Sequence, residues 1–361
     1  MITSFVHESP RQRIVFAAGA IDRVSDEVDR LRLRRVLVVG GDATLGLAER
    51  VRNDLGNRSV GLFSDVVQHV PAKQARQVVQ ASQETHADGV VTVGGGSTTG
   101  LGKVVALSRG LPLLAVPTTY AGSEMTPIYG VTADGRKQTG SDSKVLPRTV
   151  IYDPALTVSM PAALTASSGM NSLAHCVEAL WLRRTTPYSH AYARLGIEAL
   201  ATGLAGAVRA PEDLDARSEA LLGASLAGAA LGLSGTGLHH KICHVLGGSY
   251  GLGHSEVHSA VLPQVIAFNA PAIPRTMVEL AGALEVDDAG GGCFDLAQTL
   301  GAPTRLDQLG LKESDLAGAV DQVMASPLDN PRSPSSPDLM SILRAALLGI
   351  RPAATVATLP A

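Results

Sequence analysis

Four short apolar runs, at residues 36–39, 60–63, 90–93 and 113–116, punctuate the first third of this chain. Four apolar residues without polar alternation suit a strand covered on both faces, as in a parallel sheet flanked by helices. The stretches between them, 45–55, 72–85 and 98–109, carry helical patterning. Strand and helix in alternation predict a doubly wound α/β domain whose ligands sit beyond the carboxyl ends of the strands. From 129 to 153 short strands and polar turns follow, with Ala133-Asp134-Gly135-Arg136 reading as a hairpin that ends the sheet. After Pro161 long Ala- and Leu-rich segments dominate: 166–184, 189–208, 217–232, 236–246, 259–269 and, beyond a Pro/Ser-rich loop at 326–337, 338–348. With 361 residues the chain can build two cores. The expected division is an α/β domain with a parallel sheet at 1–156 and an all-α domain at 157–361.

The apolar run at 90–93 breaks directly into Gly94-Gly95-Gly96-Ser97 and then a helix. Consecutive glycines let a backbone approach a ligand without Cβ clashes. The helix that follows offers unpaired N–H groups and a positive dipole end to a phosphate. A tight structural turn has the same local pattern, and the spacing is neither G-x-G-x-x-G nor a Walker A loop. Pro117-Thr118-Thr119 sits at the end of the next strand, and two loops on one sheet edge favour a nucleotide site.

Composition narrows the partners. The chain is 45% apolar and 17% charged, with a formal net charge of −3, so neither nucleic acid nor an anionic membrane is expected. Cys176, Cys243 and Cys293 are odd in number and far apart, which fits a reducing cytosol and buried apolar roles for the first two. The first residues lack the apolar core of a signal peptide, and no apolar run reaches membrane-span length, so a cytoplasmic location is expected.

The helical half concentrates histidine. Asn171 and His175 are four apart, hence on one helix face, as are His240 and His244; His254 and His258 follow a glycine-rich turn. One histidine on an apolar helix is usually a hydrogen-bonded core residue. Several on separate segments each need a partner, and together they suit a metal or proton transfer.

The ordered set GGGS, PTTYAGSEMTP, KVLPRTVIYDP, SGMNSLAHCVEAL and GLHHKICHVLGGSYGLGHSEVHSAVLP resembles the iron-containing alcohol dehydrogenase superfamily, and within it the maleylacetate reductase branch. The resemblance spans roughly residues 16–262. It implies that superfamily's fold, shared with dehydroquinate synthase, and an NADH- or NADPH-dependent oxidoreductase. Gly94, Gly95, Gly96, Ser97, Thr118 and Thr119 are then cofactor-binding, with Asp42 on the adenine ribose and Lys144 near cofactor or substrate. The family metal positions fall on Asn171, His175, His240 and His254, while His244 matches a histidine beside the nicotinamide. Asn171 replaces a carboxylate, removing a charge and a hard oxygen ligand from a dication site. The branch is therefore expected to work without a metal. Gly100 stands where the superfamily commonly has Asp, and Lys103 keeps the family lysine.

The implied reaction reduces the C=C bond of maleylacetate, a small dianionic keto acid, to 3-oxoadipate in the breakdown of aromatic compounds. Hydride goes to the carbon β to the ketone, and the resulting enolate needs a proton. Hydrogen bonds from imidazolium are expected to stabilise that enolate where an alkoxide would want a metal. His175, His240 and His254 would line the site, with His244 or Tyr120 as proton donor. Lys144 and Arg136 are candidate carboxylate partners, and Asn171 a substrate contact. A homodimer is expected through a first strand at 13–17. Two other readings stand beside this one: a metal-dependent alcohol or glycerol dehydrogenase, and a non-catalytic nucleotide-binding protein.

Overall fold

The computed structural model describes residues 4–9, 11–133 and 136–353, which fall into two compact units. Of the described residues, one comprises those from 8 to 160, and the other those from 161 to 353 together with 4–7.

The first unit is built on a six-stranded sheet, all of whose pairings are parallel. Its strands are β1 (Arg13–Phe16), β2 (Val36–Val39), β3 (Ser59–Phe63), β4 (Gly89–Gly94), β5 (Leu113–Pro117) and, after an insertion, β8 (Thr149–Tyr152). Across the sheet they run β1-β8-β5-β4-β2-β3. The central strands β2, β4, β5 and β8 are buried at every residue, which is why β2, β4 and β5 read as apolar runs. Successive side chains still part to opposite faces. Val36 and Val38 join one core with helices α1 (Val24–Arg30) and α2 (Leu45–Leu55), while Leu37 and Val39 join another with α3 (Ala72–Glu84) and α4 (Gly96–Arg109).

The chain leaves β2 toward β3 on one side and leaves β4 toward β5 on the other. β2 and β4 are neighbours, so the loops after them flank a topological switch point, where open α/β sheets take their ligands.

Two expectations change here. The hairpin β6 (Ile128–Ala133) and β7 (Arg136–Ser141) does not end the sheet: it is a separate two-stranded insertion, and β8 returns between β5 and β1. Asp134 and Gly135 lie outside the described residues. The helix after the glycine turn begins at Gly96 rather than 98, so Gly96 and Ser97 belong to its first turn. The first strand pairs in register with β8 of its own chain, which leaves only its outer edge for another chain.

The second unit is all helical: α5 (Ala162–Ala179), α6 (Pro187–Arg209), α7 (Leu214–Ser234), α8 (Leu238–Tyr250), α9 (His254–Asn269), α10 (Pro274–Ala283), α11 (Ala289–Thr299), α12 (Leu316–Met324) and α13 (Ser336–Leu348). α5 is its axle, buried from Thr165 to Ala179 and packed against α6, α7 and α9. The N-terminal residues Phe5 and His7 pack on Tyr188 of α6. Among the described residues no single helix is long and apolar enough to cross a membrane.

Candidate active site

In the α/β unit, β4 and β5 run side by side until Gly94 pairs with Pro117, so the two predicted loops emerge together. Thr118 N–H donates to the Gly94 carbonyl at 3.2 Å. A Cβ added at Gly95 would stand 3.1 Å from both Oγ1 and Cγ2 of Thr119. α4 starts with no side-chain cap, so the N–H groups of its first turn lack the usual intramolecular acceptor. Fourteen residues of helix stand behind that cradle. The arrangement fits a pyrophosphate: bare backbone donors, a helix dipole and a gap that a side chain would fill.

The Ser97 hydroxyl oxygen accepts from His69 N–H at 3.2 Å, which leaves its own proton for a phosphate oxygen. Gly100, the departure from the superfamily, has a steric cause: a Cβ there would lie 2.6 Å from Cγ2 of Val70.

Asp42 is exposed and opens the turn after β2, on the strand edge where a ribose contact was expected. The Thr44 hydroxyl, in the same turn, donates to Val93 O at 2.8 Å and ties this loop to β4. Lys144 is exposed on the turn Ser143–Val145, which packs against α4. Tyr120 is fully buried in this unit. The side chain of Arg136 lies outside what the structure describes.

In the helical unit, α5, α8 and α9 bring His175, His240, His244 and His254 together, along with two histidines not assigned a role from sequence. Ring centroids of His175 and His240 lie 4.9 Å apart, those of His240 and His244 6.1 Å, and those of His244 and His254 5.9 Å. His258 sits in the middle, 5.0 Å from His240 and 4.9 Å from both His254 and His239. His244 is exposed and His254 half-buried, whereas His175, His239, His240 and His258 are buried.

The cluster is organised by Glu178, a carboxylate fully buried on α5. It accepts from Gly237 N–H at 2.8 Å and His239 N–H at 2.7 Å, and it meets His240 Nδ1 at 2.6 Å. Gly237 is the N-cap of α8, so Glu178 supplies the cap that this helix lacks in its own sequence, where the dipole favours an anion. A Cβ on Gly237 would lie 2.5 Å from Asp329 O and 3.0 Å from Glu178 Oε1, so glycine is what lets the carboxylate in. The carboxylate only accepts, which places a proton on His240 Nδ1 and aims Nε2 away from it.

Burial, reinforced by the neighbouring histidines, holds His175, His239 and His258 well below the ordinary imidazole range. Those three are neutral near pH 7, so none of them supplies an imidazolium. Asn171 Oδ1, His175 Nδ1, His240 Nε2 and His258 Nε2 are all buried without a hydrogen-bond partner. Native proteins leave few such atoms, so four in one cluster mark a place for a polar ligand.

The family metal positions fit an ion poorly. Among the described His, Cys, Asp and Glu residues, the group whose donor atoms all lie within 4.8 Å of one another is His239, Cys243 and His258, and not His175, His240 and His254. In that group the two imidazoles already bond each other (Nε2···Nδ1 2.8 Å), and burial pushes the Cys243 thiol well above its usual range. Cys243, read from sequence as a buried apolar residue, is buried but lies 3.6 Å from His239 Nε2.

Comparison with known proteins now decides the family. The profile of iron-containing alcohol dehydrogenases matches residues 10–154, and that of the C-terminal part of the Fe-containing alcohol dehydrogenase family matches residues 165–347. The chain belongs to the iron-containing alcohol dehydrogenase family. Within that family it is 45% identical to maleylacetate reductase of Burkholderia cepacia, over 97% of this chain and 100% of that one. Its fold matches the crystal structures of maleylacetate reductases from Agrobacterium tumefaciens and Rhizobium sp. strain MTP-10005. Each superposes with a TM-score of 0.94 at 41% identity, over 97% of this chain and 100% of the other.

Sequence reasoning missed Glu178, His239 and the central place of His258. A signal for Glu178 was present: it lies three residues after His175 on a helix otherwise free of charge, and a buried carboxylate must be paired.

Proposed function

We propose that this chain is a maleylacetate reductase, reducing the C=C bond of maleylacetate to 3-oxoadipate with NADH or NADPH in the breakdown of aromatic compounds. The observation that carries the reading is the buried set of unpartnered polar atoms on Asn171, His175, His240 and His258, backed by the Glu178 carboxylate. Relatives at 38–45% identity over nearly their whole length bear the same name.

Gly94, Gly95, Gly96 and Ser97 would hold the cofactor pyrophosphate on the α4 N-terminus, beside Thr118 and Thr119. Bound there, the reduced nicotinamide supplies a hydride for the carbon β to the substrate ketone. Electron density then collects on the ketone oxygen. His240, with Nδ1 held by Glu178, can carry a proton at Nε2 and direct it at that oxygen, because the carboxylate offsets the charge of the doubly protonated ring. His175 and Asn171 add neutral polar contacts. His244, exposed to solvent, can give a proton to the enolate carbon and recover it from water. Tyr120, buried in the α/β unit, is the other candidate donor from sequence.

An enolate spreads its charge over oxygen and carbon, so these hydrogen bonds suffice where an alkoxide would call for a cation. The neutral amide of Asn171 agrees with a reaction that needs no metal.

Purified protein should consume one equivalent of NADH or NADPH per maleylacetate and yield 3-oxoadipate by mass spectrometry. Turnover of simple alcohols or glycerol in preference to maleylacetate would contradict the assignment. A homodimer is part of the same proposal: β1 is an edge strand that exposes Ile14 (40%) and Phe16 (37%) beside a free backbone edge. Light scattering should give twice the monomer mass, and Ile14→Lys with Phe16→Lys should shift it to one.

A further inference from the structure

Lys103 is fully buried on α4, seven residues into the helix that opens with the cradle. Its ammonium donates to the carbonyls of Ser123 at 2.6 Å, Thr126 at 2.9 Å and Ile128 at 2.6 Å, and lies 3.1 Å from Thr126 Oγ1. Three carbonyls match the three N–H groups of an ammonium. They belong to the segment that runs on from Thr118 and Thr119, between the end of β5 and the first residue of β6. The far side of that stretch is pinned as well: the Tyr152 hydroxyl bonds Glu124 Oε1 at 2.7 Å, and the Gln12 side chain donates to Glu124 O at 2.8 Å.

We propose that Lys103 is a positioning residue for cofactor binding, whose ammonium ties residues 118–128 to α4 and so sets the threonine wall against the glycine cradle. The proposal rests on the reading that this cradle holds the NAD(P)H pyrophosphate. Isolated surface charges gain little from such contacts, but a fully buried ammonium keeps its place only through them.

Burial pulls Lys103 down to about 7, and the facing Glu124, itself pushed up by burial, works weakly against that. Among the described residues Glu124 is the titratable group that acts on it. A neutral amine keeps two N–H donors and turns a lone pair toward three carbonyls. The tie therefore loosens as pH rises through the titration of Lys103.

The test is fluorescence titration with NADH and NADPH, run beside steady-state kinetics, on wild type and Lys103→Met. The variant should bind cofactor about tenfold or more weakly, the size expected for lost hydrogen bonds to a charged group, while kcat at saturating cofactor changes by less than about threefold. Wild type should lose affinity from about pH 6 to about pH 9, and a folded Lys103→Met should lose this pH dependence. A folded variant with unchanged cofactor affinity would overturn the proposal. If the variant does not fold, the wild-type profile decides: affinity flat across that range overturns it, affinity falling supports it. Wild type that binds neither cofactor would instead overturn the cofactor reading itself, and the proposal with it.

Discussion

His240→Ala is expected to lower kcat by about a hundredfold or more while leaving NADH affinity within about twofold, the usual scale for removing a group that acts as acid or oxyanion donor. The asymmetry follows from location. His240 lies in the helical unit, and its Nε2 is buried with no protein partner, which under the proposed function leaves it to meet the substrate as charge develops. Glu178→Gln should reproduce much of this loss by a separate route. The amide can still accept from one backbone N–H of α8, but it presents no carboxylate to His240 Nδ1. Without that anion the ring has no counter-charge for a second proton, and either tautomer becomes available. Circular dichroism should show both variants folded. Full turnover in either one would remove His240 from the chemistry.

Gly95→Val should have the opposite signature. Its Cβ would stand 3.1 Å from Thr119 Oγ1 and Cγ2, and the two methyl groups beyond it must enter the cradle or push the threonine loop away. Losing the charge-assisted hydrogen bonds of one phosphate weakens NADH binding by about a hundredfold. At saturating cofactor kcat should recover much of its wild-type value, because the histidine cluster is untouched. An unchanged dissociation constant in a folded Gly95→Val protein would move the cofactor elsewhere.

The two variants probe parts of the molecule that were unequally legible in the sequence. The parallel sheet was plain at β2, β4 and β5, whose cover on both faces writes itself as short runs dominated by Val and Leu. Strand β8, Thr149-Val150-Ile151-Tyr152, is buried at every residue too but was not legible as one of its strands. β1 showed as a strand, but the sequence did not say that one of its edges pairs with β8 of its own chain, a partner more than a hundred residues away. The hairpin β6–β7 showed as strands and turns, but pairing partners are not encoded locally, so its separation from the main sheet was not. Helix α11 went unseen because Gly290, Gly291 and Gly292 fill its first turns and suppress helical propensity; packing against α9 forms it regardless.

For the site, i, i+4 spacing put Asn171 with His175 and His240 with His244, since one helix carries each pair. The contact of His239 with His258 spans α8 and α9, and that of Glu178 with the α8 N-terminus spans two helices fifty-nine residues apart in sequence. Such contacts depend on tertiary packing that no spacing rule contains. The depressed basicity of His175 has the same origin: burial first, and then the other imidazoles around it, rather than its own neighbours in sequence.

The most direct measurement is maleylacetate-dependent NADH oxidation before and after exhaustive chelation, with metal content measured on the same samples and Asn171→Asp assayed beside wild type. Wild type should retain its activity with well under one equivalent of zinc or iron, because a neutral amide stands at position 171 and His175, His240 and His254 do not gather their donor atoms around one point. Asn171→Asp should take up more metal without gaining maleylacetate reduction. Stoichiometric metal in wild type, activity lost on its removal and activity regained on its return would contradict the metal-free histidine chemistry and assign the chain to the metal-dependent dehydrogenases of its family.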